Sequence, residues 1–375
     1  MKRFVQFLGA ATLLLSFTQC SEDATTDSAP SVQGSVKLTA SINETRTELS
    51  GNDVLWKSND RLGLFCGTKF VNAPFTTTAG GTTSADFTGD PTDPSGSEAE
   101  VFYAYYPYSA HAVLEGSVVS GLSIPAVQTF ATKSFATELC PMATSGADYS
   151  RLAFRTIGTV LKFQVTGQKN VTKIELTGND GEALAGDYTI DFVGETPEMK
   201  FSGTETTLTL TCPEPVALND ASATEFYFVL PAGIEFTKGI TVKVYTDDNA
   251  EPMVKEYASP LTTRPNKLVT VKAFTYSVPV TSIEEANEAL SKGTSGVTIT
   301  STTDLTAPST LEIPNAFGHG TSTSVEIEQP VSTDLTISEK TTSDKELPET
   351  LSVEMETTAS LIVDTPNLTV SLEGT

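Results

Sequence analysis

The residue types that most often do chemistry are scarce in this chain. It has two histidines, His111 and His319, which lie in unrelated contexts, so the sequence predicts neither a histidine-based metal cluster nor a catalytic triad. Gly-x-Ser-x-Gly elbows, phosphate-binding loops and zinc-protease helices are absent from the sequence. We therefore predict no catalytic residue, no metal site and no cofactor, and we expect a protein that is not an enzyme.

One cysteine, Cys20, stands where covalent modification is expected. Lys2 and Arg3 precede an apolar run over Phe4–Phe17 that is shorter than the roughly 20 residues of a membrane-spanning helix. A short basic start, an apolar core and a processing site are typical of a secretory signal. We interpret residues 1–19 as a lipoprotein signal peptide and Cys20 as the lipidated, palmitate-bearing first residue. Because the two residues before Cys20 are bulky, ordinary secretion with an unmodified cysteine is the alternative.

The residues after Cys20 indicate where the protein goes. Ser21, Glu22 and Asp23 form an acidic start that resembles the signal sending lipoproteins of the Bacteroidetes to the outside of the outer membrane. Residues 20–34 are small and polar, which is typical of a flexible tether. The sequence therefore predicts a protein anchored in the cell outer membrane by its lipid and exposed at the surface.

Carboxylates are the other chemical groups that need an interpretation. Glutamates that could line one face of the C-terminal region are Glu312, Glu326, Glu328, Glu354 and Glu356. Parallel β-helices host glycan-cleaving enzymes that use paired acids. Glu326 and Glu328, spaced two apart, share one face of a strand, and we interpret them as solvated charges that point away from the core.

Composition limits the fold and the partners. The chain has 375 residues, a net charge of −24 and a pI near 4.4, which argues against nucleic acid as a partner because phosphates would be repelled. With 38% hydrophobic residues, 26 Gly and 20 Pro, and few helical stretches, the chain is typical of an all-β protein with many turns. The length predicts two or three domains.

The remaining cysteines, Cys66, Cys140 and Cys212, have no close spacing. The sequence therefore predicts neither a zinc knuckle nor a redox dithiol. One disulfide and three buried thiols both stay open at this point.

The first strand has the clearest pattern in the chain. Its apolar residues are Val36, Leu38, Ala40 and Ile42. They alternate with polar residues, which predicts a half-buried strand.

Similar short segments, separated by turns, continue to about residue 275. We therefore predict two tandem antiparallel β-sandwiches, over residues 35–149 and 150–277. Asp247-Asp248-Asn249 is interpreted as a hairpin turn, with a metal site as the weaker alternative.

Residues 278–375 have a different pattern of apolar residues. Ser282 and Glu285 form a capping box, and Ile283, Ala286 and Leu290 share one face of a short helix. Apolar triplets follow at Val297–Ile299, Leu311–Ile313, Val325–Ile327, Leu335–Ile337, Leu351–Val353, Leu361–Val363 and Leu368–Val370. Their recurrence predicts a right-handed parallel β-helix-like solenoid that the helix caps, with a loose sandwich as the alternative. Because no closing cap follows Leu372, we expect this region to be incomplete or to need a partner.

Residues 36–275 resemble the fimbrillin family of the Bacteroidetes, the lipoprotein precursors related to type V pilins. The resemblance rests on these segments in this order: Glu44-Thr45-Arg46-Thr47, Trp56, Asn59-Asp60-Arg61-Leu62-Gly63-Leu64-Phe65, Phe102-Tyr103-Ala104-Tyr105-Tyr106-Pro107-Tyr108-Ser109, Ile124-Pro125-Ala126-Val127-Gln128, Leu184-Ala185-Gly186-Asp187-Tyr188 and Tyr227-Phe228-Val229-Leu230-Pro231-Ala232-Gly233. It implies two successive β-sandwiches, and in polymerising members cleavage by an arginine-specific protease after the first strand.

The resemblance places the candidate cleavage site at Arg46, directly after the removable strand that contains Val36 and Ile42. Removing that strand would leave an apolar groove beside unpaired backbone groups, which a strand from another subunit could fill. Alternatively, Arg46 is a solvated loop residue that is not cleaved. The resemblance thus implies a fimbrial structural, tip, accessory or adhesion subunit whose partners are other fimbrillin-type subunits or a second copy of itself.

The C-terminal region departs from the pilin pattern, since about a hundred residues follow Val271. It favours a tip, accessory or free-standing protein over a stalk subunit. Two alternatives remain: a surface lipoprotein that binds host or bacterial glycans or proteins through residues 278–375, and a β-helix carbohydrate-active enzyme.

Overall fold

The computed structural model describes residues 34–42, 54–135, 139–248, 251–292, 294, 296–299, 309–314, 322–331, 335–340, 350–357, 361–364 and 369–373. The signal peptide, Cys20, the acidic residues after it and Arg46 lie outside these ranges, so the predictions for them stay predictions. Within the described ranges the structure contains thirty strands and one helix, which confirms the predicted all-β class.

The strands are β1 (Val36–Ile42), β2 (Arg61–Cys66), β3 (Phe70–Thr77), β4 (Ser84–Gly89), β5 (Phe102–Tyr106), β6 (Val113–Glu115), β7 (Val118–Ile124), β8 (Val127–Thr129), β9 (Met142–Gly146), β10 (Arg151–Thr156), β11 (Thr159–Thr166), β12 (Asn170–Gly178), β13 (Gly186–Asp191), β14 (Glu198–Phe201), β15 (Thr207–Ala217), β16 (Thr224–Leu230), β17 (Glu235–Phe236), β18 (Ile240–Thr246), β19 (Met253–Tyr257), β20 (Leu261–Thr262), β21 (Lys267–Thr270), β22 (Phe274–Thr275), β23 (Val278–Val280), β24 (Gly296–Ile299), β25 (Ser309–Pro314), β26 (Ser322–Val331), β27 (Leu335–Lys340), β28 (Thr350–Thr357), β29 (Leu361–Asp364) and β30 (Thr369–Glu373). The helix is α1 (Ile283–Ser291).

The first sheet is a closed seven-stranded barrel in the order β1-β10-β9-β5-β2-β3-β4. Every strand sends apolar side chains inward to one core, whose centre is Trp56. The prediction of an antiparallel sandwich here differs from the structure, because β1 pairs antiparallel with β4 on one side and parallel with β10 on the other. These two pairings close the sheet and leave the barrel without a free edge.

A second core lies between two sheets, with the orders β16-β11-β21 and β19-β18-β12-β15-β8. The alternating residues Leu161, Phe163 and Val165 of β11 are all buried in it, as the sequence predicts. β18 and β19 form the expected antiparallel pair, from Ile240 opposite Tyr257 to Val244 opposite Met253. Two sheets that share one apolar core make this part of the molecule a sandwich.

Paired strands cross the predicted domain boundary at residue 150. β10 begins at Arg151 and still belongs to the barrel, while β7 pairs antiparallel with β13 in a four-stranded sheet, β14-β13-β7-β6. A further apolar cluster joins Phe65 and Tyr105, on the outer face of the barrel, to Tyr188 of β13. The two halves are therefore interlocked, and the proposed division into domains stays a prediction.

Gln128 on β8 closes an edge of this arrangement with its side chain. Its Nε2 donates to the carbonyl oxygen of Val229 at 2.7 Å, and its Oε1 accepts from the amide N–H of Val229 at 2.9 Å. Val229 lies on β16, at the edge of its sheet, and both residues are buried. The side-chain amide therefore takes the place of a neighbouring strand at this position.

The strands after residue 277 pair in parallel. β23, β24, β26, β28 and β30 form one sheet, and β25, β27 and β29 form another. Val297, Val325 and Val353 lie side by side in register, and the same interval separates each from the next. Six of the seven predicted apolar triplets fall wholly in strands, and the last two residues of the seventh belong to β30. The segments that connect the two sheets lie outside the described residues, so the right-handed solenoid stays a prediction.

Helix α1 begins and packs as the sequence predicts. Ser282 is the N-cap and its hydroxyl accepts from the amide N–H of Glu285, while the Glu285 carboxylate accepts from the amide N–H of Thr281 rather than from that of Ser282. Ile283, Ala286 and Leu290 are buried in a core that α1 shares with both parallel sheets.

A second side-chain amide covers a strand edge at this helix. Asn287 Nδ2 donates to the carbonyl oxygen of Thr310 at 2.9 Å, and Asn287 Oδ1 accepts from the amide N–H of Glu312 at 2.8 Å. Both partners lie on β25, the first strand of its sheet. Helix α1 thus protects that edge from pairing with another strand.

Replacing Gln128 tests the edge that it closes. We expect Gln128→Leu to lower the free energy of unfolding by about 3 kcal/mol, because two buried backbone groups of Val229 lose their partners. Val127→Leu on the same strand is the matched control, since Val127 is 60% exposed. Urea denaturation measures both, and a Gln128→Leu variant as stable as the control would contradict this assignment.

Candidate functional site: the first strand of the barrel

The predicted removable strand is β1, and it is fully integrated in the barrel. Leu38, Ala40 and Ile42 are buried in the barrel core, and Val36 is half-buried. Lys37 and Thr39 point outward and are exposed. The alternating pattern seen in the sequence is therefore confirmed as one apolar and one polar face. Whether the strand is ever removed stays a prediction.

The backbone of β1 is paired along both sides. Its antiparallel ladder with β4 runs from Val36 opposite Gly89 to Ser41 opposite Ser84. Its parallel ladder with β10 runs from Thr39 opposite Arg151 to the C-terminal end of β1. If β1 left, β4 and β10 would each present an open row of amide and carbonyl groups, and the core between them would be uncovered.

Trp56 contacts β1 from inside the barrel. Its Nε1 donates to the backbone carbonyl oxygen of Ala40 at 3.0 Å, and the side chain has no exposed area. The indole packs edge-on against three rings, with centroid distances of 4.9 Å to Phe87, 5.3 Å to Tyr106 and 5.7 Å to Phe154. Trp56, the only tryptophan in the chain, thus joins β1 to the aromatic centre of the barrel.

A buried carboxylate supports the turn that follows Trp56. Asp60 Oδ1 accepts from the Tyr106 hydroxyl at 2.9 Å, and Oδ2 accepts from the amide N–H of Lys57 at 2.7 Å. Trp56 itself pairs with Thr82 in an isolated β-bridge. These bonds fix the backbone that carries the indole, so that its N–H points at β1.

Asp86 on β4 links the outer faces of the two strands. Its carboxylate accepts from Lys37 Nζ at 2.7 Å and from Thr39 Oγ1 at 2.9 Å, and these bonds lower its pKa. Because the folded-state pKa is lowered, this link is complete near neutral pH and is lost as the pH falls through the lowered value. The link is exposed, so it guides the register of β1 more than it stabilises the barrel.

The other residues considered for chemistry have ordinary partners. Asp247 Oδ2 accepts from Asn170 Nδ2 at 3.0 Å, and Asp248 forms an ion pair with Lys169 at 2.6 Å. No group of three or more metal-binding side chains occurs among the described residues. None of the helices in the described part of the chain is long and apolar enough to cross a membrane.

Two of the five glutamates considered as paired acids and interpreted as solvated charges are described with their contacts. Glu326 lies 3.7 Å from Lys255 Nζ, and the backbone of Glu312 binds Asn287. The side chains of Glu328, Glu354 and Glu356 lie outside the described part of the structure.

The three described cysteines are free thiols, which settles the alternative left open by the sequence. Cys66 and Cys140 are buried, and Cys212 is half-buried. Burial raises the pKa of Cys66, and it raises that of Cys212 to about 11. Thiols with raised pKa values are poor nucleophiles, so these cysteines serve packing.

The sequence predicts that Trp56 is a core or rim aromatic, and this reasoning missed its bond to β1. The sequence signal that could have pointed to it is a single tryptophan in a segment followed by Asn59-Asp60, a turn-forming pair. Reasoning from the sequence also missed the edge-closing role of Gln128. A glutamine in an otherwise apolar and small segment carries no distinct signal of its own.

The chain matches no protein-family model and no curated protein. Among solved structures, a candidate cell adhesion protein of Bacteroides fragilis is 11% identical with a TM-score of 0.33, covering 65% of this chain and 94% of that one. The C-terminally truncated tip fimbrial protein Mfa3 of Porphyromonas gingivalis is 11% identical with a TM-score of 0.27, covering 61% and 83%.

A variant of the major pilin of Streptococcus pyogenes is also similar, at 11% identity and a TM-score of 0.14, covering 64% of this chain and 97% of that one. Scores of this size establish neither a common fold nor a common activity. The function therefore has to rest on the residues of this chain.

Replacing Trp56 tests whether its hydrogen bond and packing stabilise β1. We expect Trp56→Phe to lower the free energy of unfolding by about 2–3 kcal/mol, because a cavity opens and the Ala40 carbonyl loses a buried donor. Amide hydrogen exchange should rise more over Val36–Ile42 than over Ile240–Thr246, which belongs to the other core. Equal protection of β1 in the variant and the parent would refute the role of the indole.

Proposed function

We propose that this chain is a surface-exposed outer-membrane lipoprotein of fimbrillin type, which acts as a fimbrial structural, tip, accessory or adhesion subunit through β-strand complementation. The observation that supports it most is the position of β1, which closes the barrel between β4 and β10 and covers its aromatic centre. One strand at the start of the mature chain is thus the piece whose exchange would open a groove.

The energetics favour replacement of β1 over a permanently open groove. Fully burying a side chain such as Leu38 or Ile42 is worth about 1.5–3 kcal/mol. Each buried backbone group that loses its partner costs about 1–3 kcal/mol. An opened barrel is therefore strongly driven to take up another strand, and a strand of a second subunit provides it by β-augmentation.

The order of the predicted processing sites along the chain determines which fragment would keep the lipid anchor and β1. Cys20 precedes β1 and Arg46 follows it. A cut at Arg46 would leave the lipid, the tether and β1 on one fragment and the barrel on the other. The cleavage would make β1 exchangeable, and replacement of β1 by another strand would then free the barrel from its own membrane anchor, so that assembly and release are coupled.

The C-terminal region supports a tip, accessory or free-standing role within this proposal. We propose that its two parallel sheets are faces of a β-helix-like solenoid capped by α1, which would obstruct a simple donor strand. The uncapped faces of such a solenoid are extended surfaces of the kind that bind glycans or proteins. A glycan-binding surface lipoprotein is therefore the second candidate, and a β-helix carbohydrate-active enzyme is the least supported.

N-terminal mass spectrometry of the mature protein tests the leading proposal. In a host with surface lipoprotein export and an arginine-specific protease, we expect an acylated Cys20 on the precursor and a mature barrel that begins at Thr47. Cys20→Ala should remove the acyl mass and the membrane anchoring, and Arg46→Ala should preserve a full-length, non-polymerised chain. An intact residue 46 in assembled or surface-located protein would exclude processing by this route.

Deletion of residues 278–375 separates the second candidate from the first. If the C-terminal region binds glycans, signals of the full chain on a glycan array disappear with the deletion, while the processing at Arg46 is unchanged. A glycan signal that the shortened chain retains would remove the solenoid from consideration as the binding element.

A further inference from the structure

We propose that Trp56 selects which strands the barrel accepts in place of β1. An accepted strand carries a small residue between two large aliphatic residues, in the register that Leu38, Ala40 and Ile42 occupy. This inference rests on the proposed function and adds to it the chemical pattern of the partner strand.

The space under the middle of β1 is shaped by two alanines. Ala40 lies opposite Ala85 of β4, and both are buried. The Trp56 indole donates its N–H to the Ala40 carbonyl and is buried in the same cluster as both alanines. A large ring therefore packs in a core where the two strands present only methyl side chains at this position.

The neighbouring positions of β1 are framed by large rings. Leu38 lies opposite Phe87 on β4, and Ile42 lies beside Phe154 on β10. Both of these phenyl rings pack against the Trp56 indole in T-shaped pairs. The groove therefore offers room for large side chains at its two outer positions and for a small one at its centre.

The centre of the groove is fully packed around Ala40 and leaves no space for a larger side chain. Ala40, Trp56, Phe87 and Phe154 all have zero exposed area. Protein cores are packed about as densely as organic crystals, so an added side chain forces its neighbours out of place. Such overpacking would weaken binding of an incoming strand by about tenfold or more.

The indole N–H also fixes the register of the incoming strand. When a strand fills the groove, this N–H becomes a buried donor in need of an acceptor, and the carbonyl at the position of Ala40 meets it. A slip by one residue would turn the apolar side chains of the strand toward solvent. Size and hydrogen bonding thus specify the same register.

The C-terminal strands of this chain do not carry the required pattern. Among the described strands after residue 277, none has a large–small–large triplet at alternating positions of its sequence. In β25, β26 and β27, pairs of buried residues two positions apart are both large. Examples are Leu311 and Ile313, Val325 and Ile327, and Leu335 and Ile337. The C-terminal strands are therefore not the occupant, which we assign to a strand of another subunit that repeats the pattern of β1.

Peptide exchange on the full chain tests the selection. A specific protease site is inserted between Asn43 and Asp53, and the purified chain is cut there and incubated with an excess of a fluorescent peptide of residues 34–43. Fluorescence anisotropy follows peptide uptake, and the uncut chain is the control. Peptides with Ala40→Leu and Ser35→Leu are compared with the parent peptide, the second adding the same bulk at an exposed residue just before β1.

We expect the parent and Ser35→Leu peptides to bind within about threefold of each other, and the Ala40→Leu peptide to bind at least about tenfold more weakly. Equal binding of the Ala40→Leu peptide would overturn the selection while leaving strand exchange intact. If the cut chain takes up none of the peptides, including the parent, strand complementation itself fails and the inference fails with it.

A cut chain carrying Trp56→Phe gives the matching rescue. The smaller ring leaves room under β1, so we expect the penalty of the Ala40→Leu peptide to shrink to less than about threefold. A penalty that is unchanged in this variant would assign the selection to another part of the groove. The peptide series on the parent chain decides the proposal even if this variant does not fold.

Discussion

The need of strand edges for backbone partners governs this structure. A sheet edge that is open exposes a row of amide and carbonyl groups, and in an all-β protein such edges are many. The barrel removes them by closing through β1. Elsewhere side-chain amides bind the backbone groups of strand edges: Gln128 binds the edge of β16, and Asn287 binds the edge of β25. The interaction that stabilises the fold and the one proposed for assembly are therefore the same kind of bond.

Local patterns in the sequence predicted most of the single elements. The alternation in β1 and β11 identified their buried faces, because side chains on a strand alternate between its two sides. The capping box at Ser282 located the start of α1, since its bonds join residues only three or four positions apart. The recurring apolar triplets placed the C-terminal strands and suggested that they stack in parallel.

Pairing between distant strands could not be predicted in the same way. Many strands share one alternating pattern, so nothing in the sequence says that β1 lies beside β10 or that β7 lies beside β13. The barrel and the interlocked halves follow from these choices. For the candidate site, the sequence identified the apolar face of β1. The bond from Trp56 to Ala40 depends on how Asp60 and Tyr106 hold a turn, which is a property of the folded core.

The flanking of β1 by a neighbour on each side has a mechanical consequence. A pull on β1 along its own axis loads the hydrogen bonds to β4 and β10 together, in shear, so that they share the tension. An invading strand that enters at one end instead replaces these bonds one after another, and each broken bond is remade at once. The pairings of β1 with β4 and β10 can therefore bear tension on a tethered molecule, while a competing strand can still replace β1.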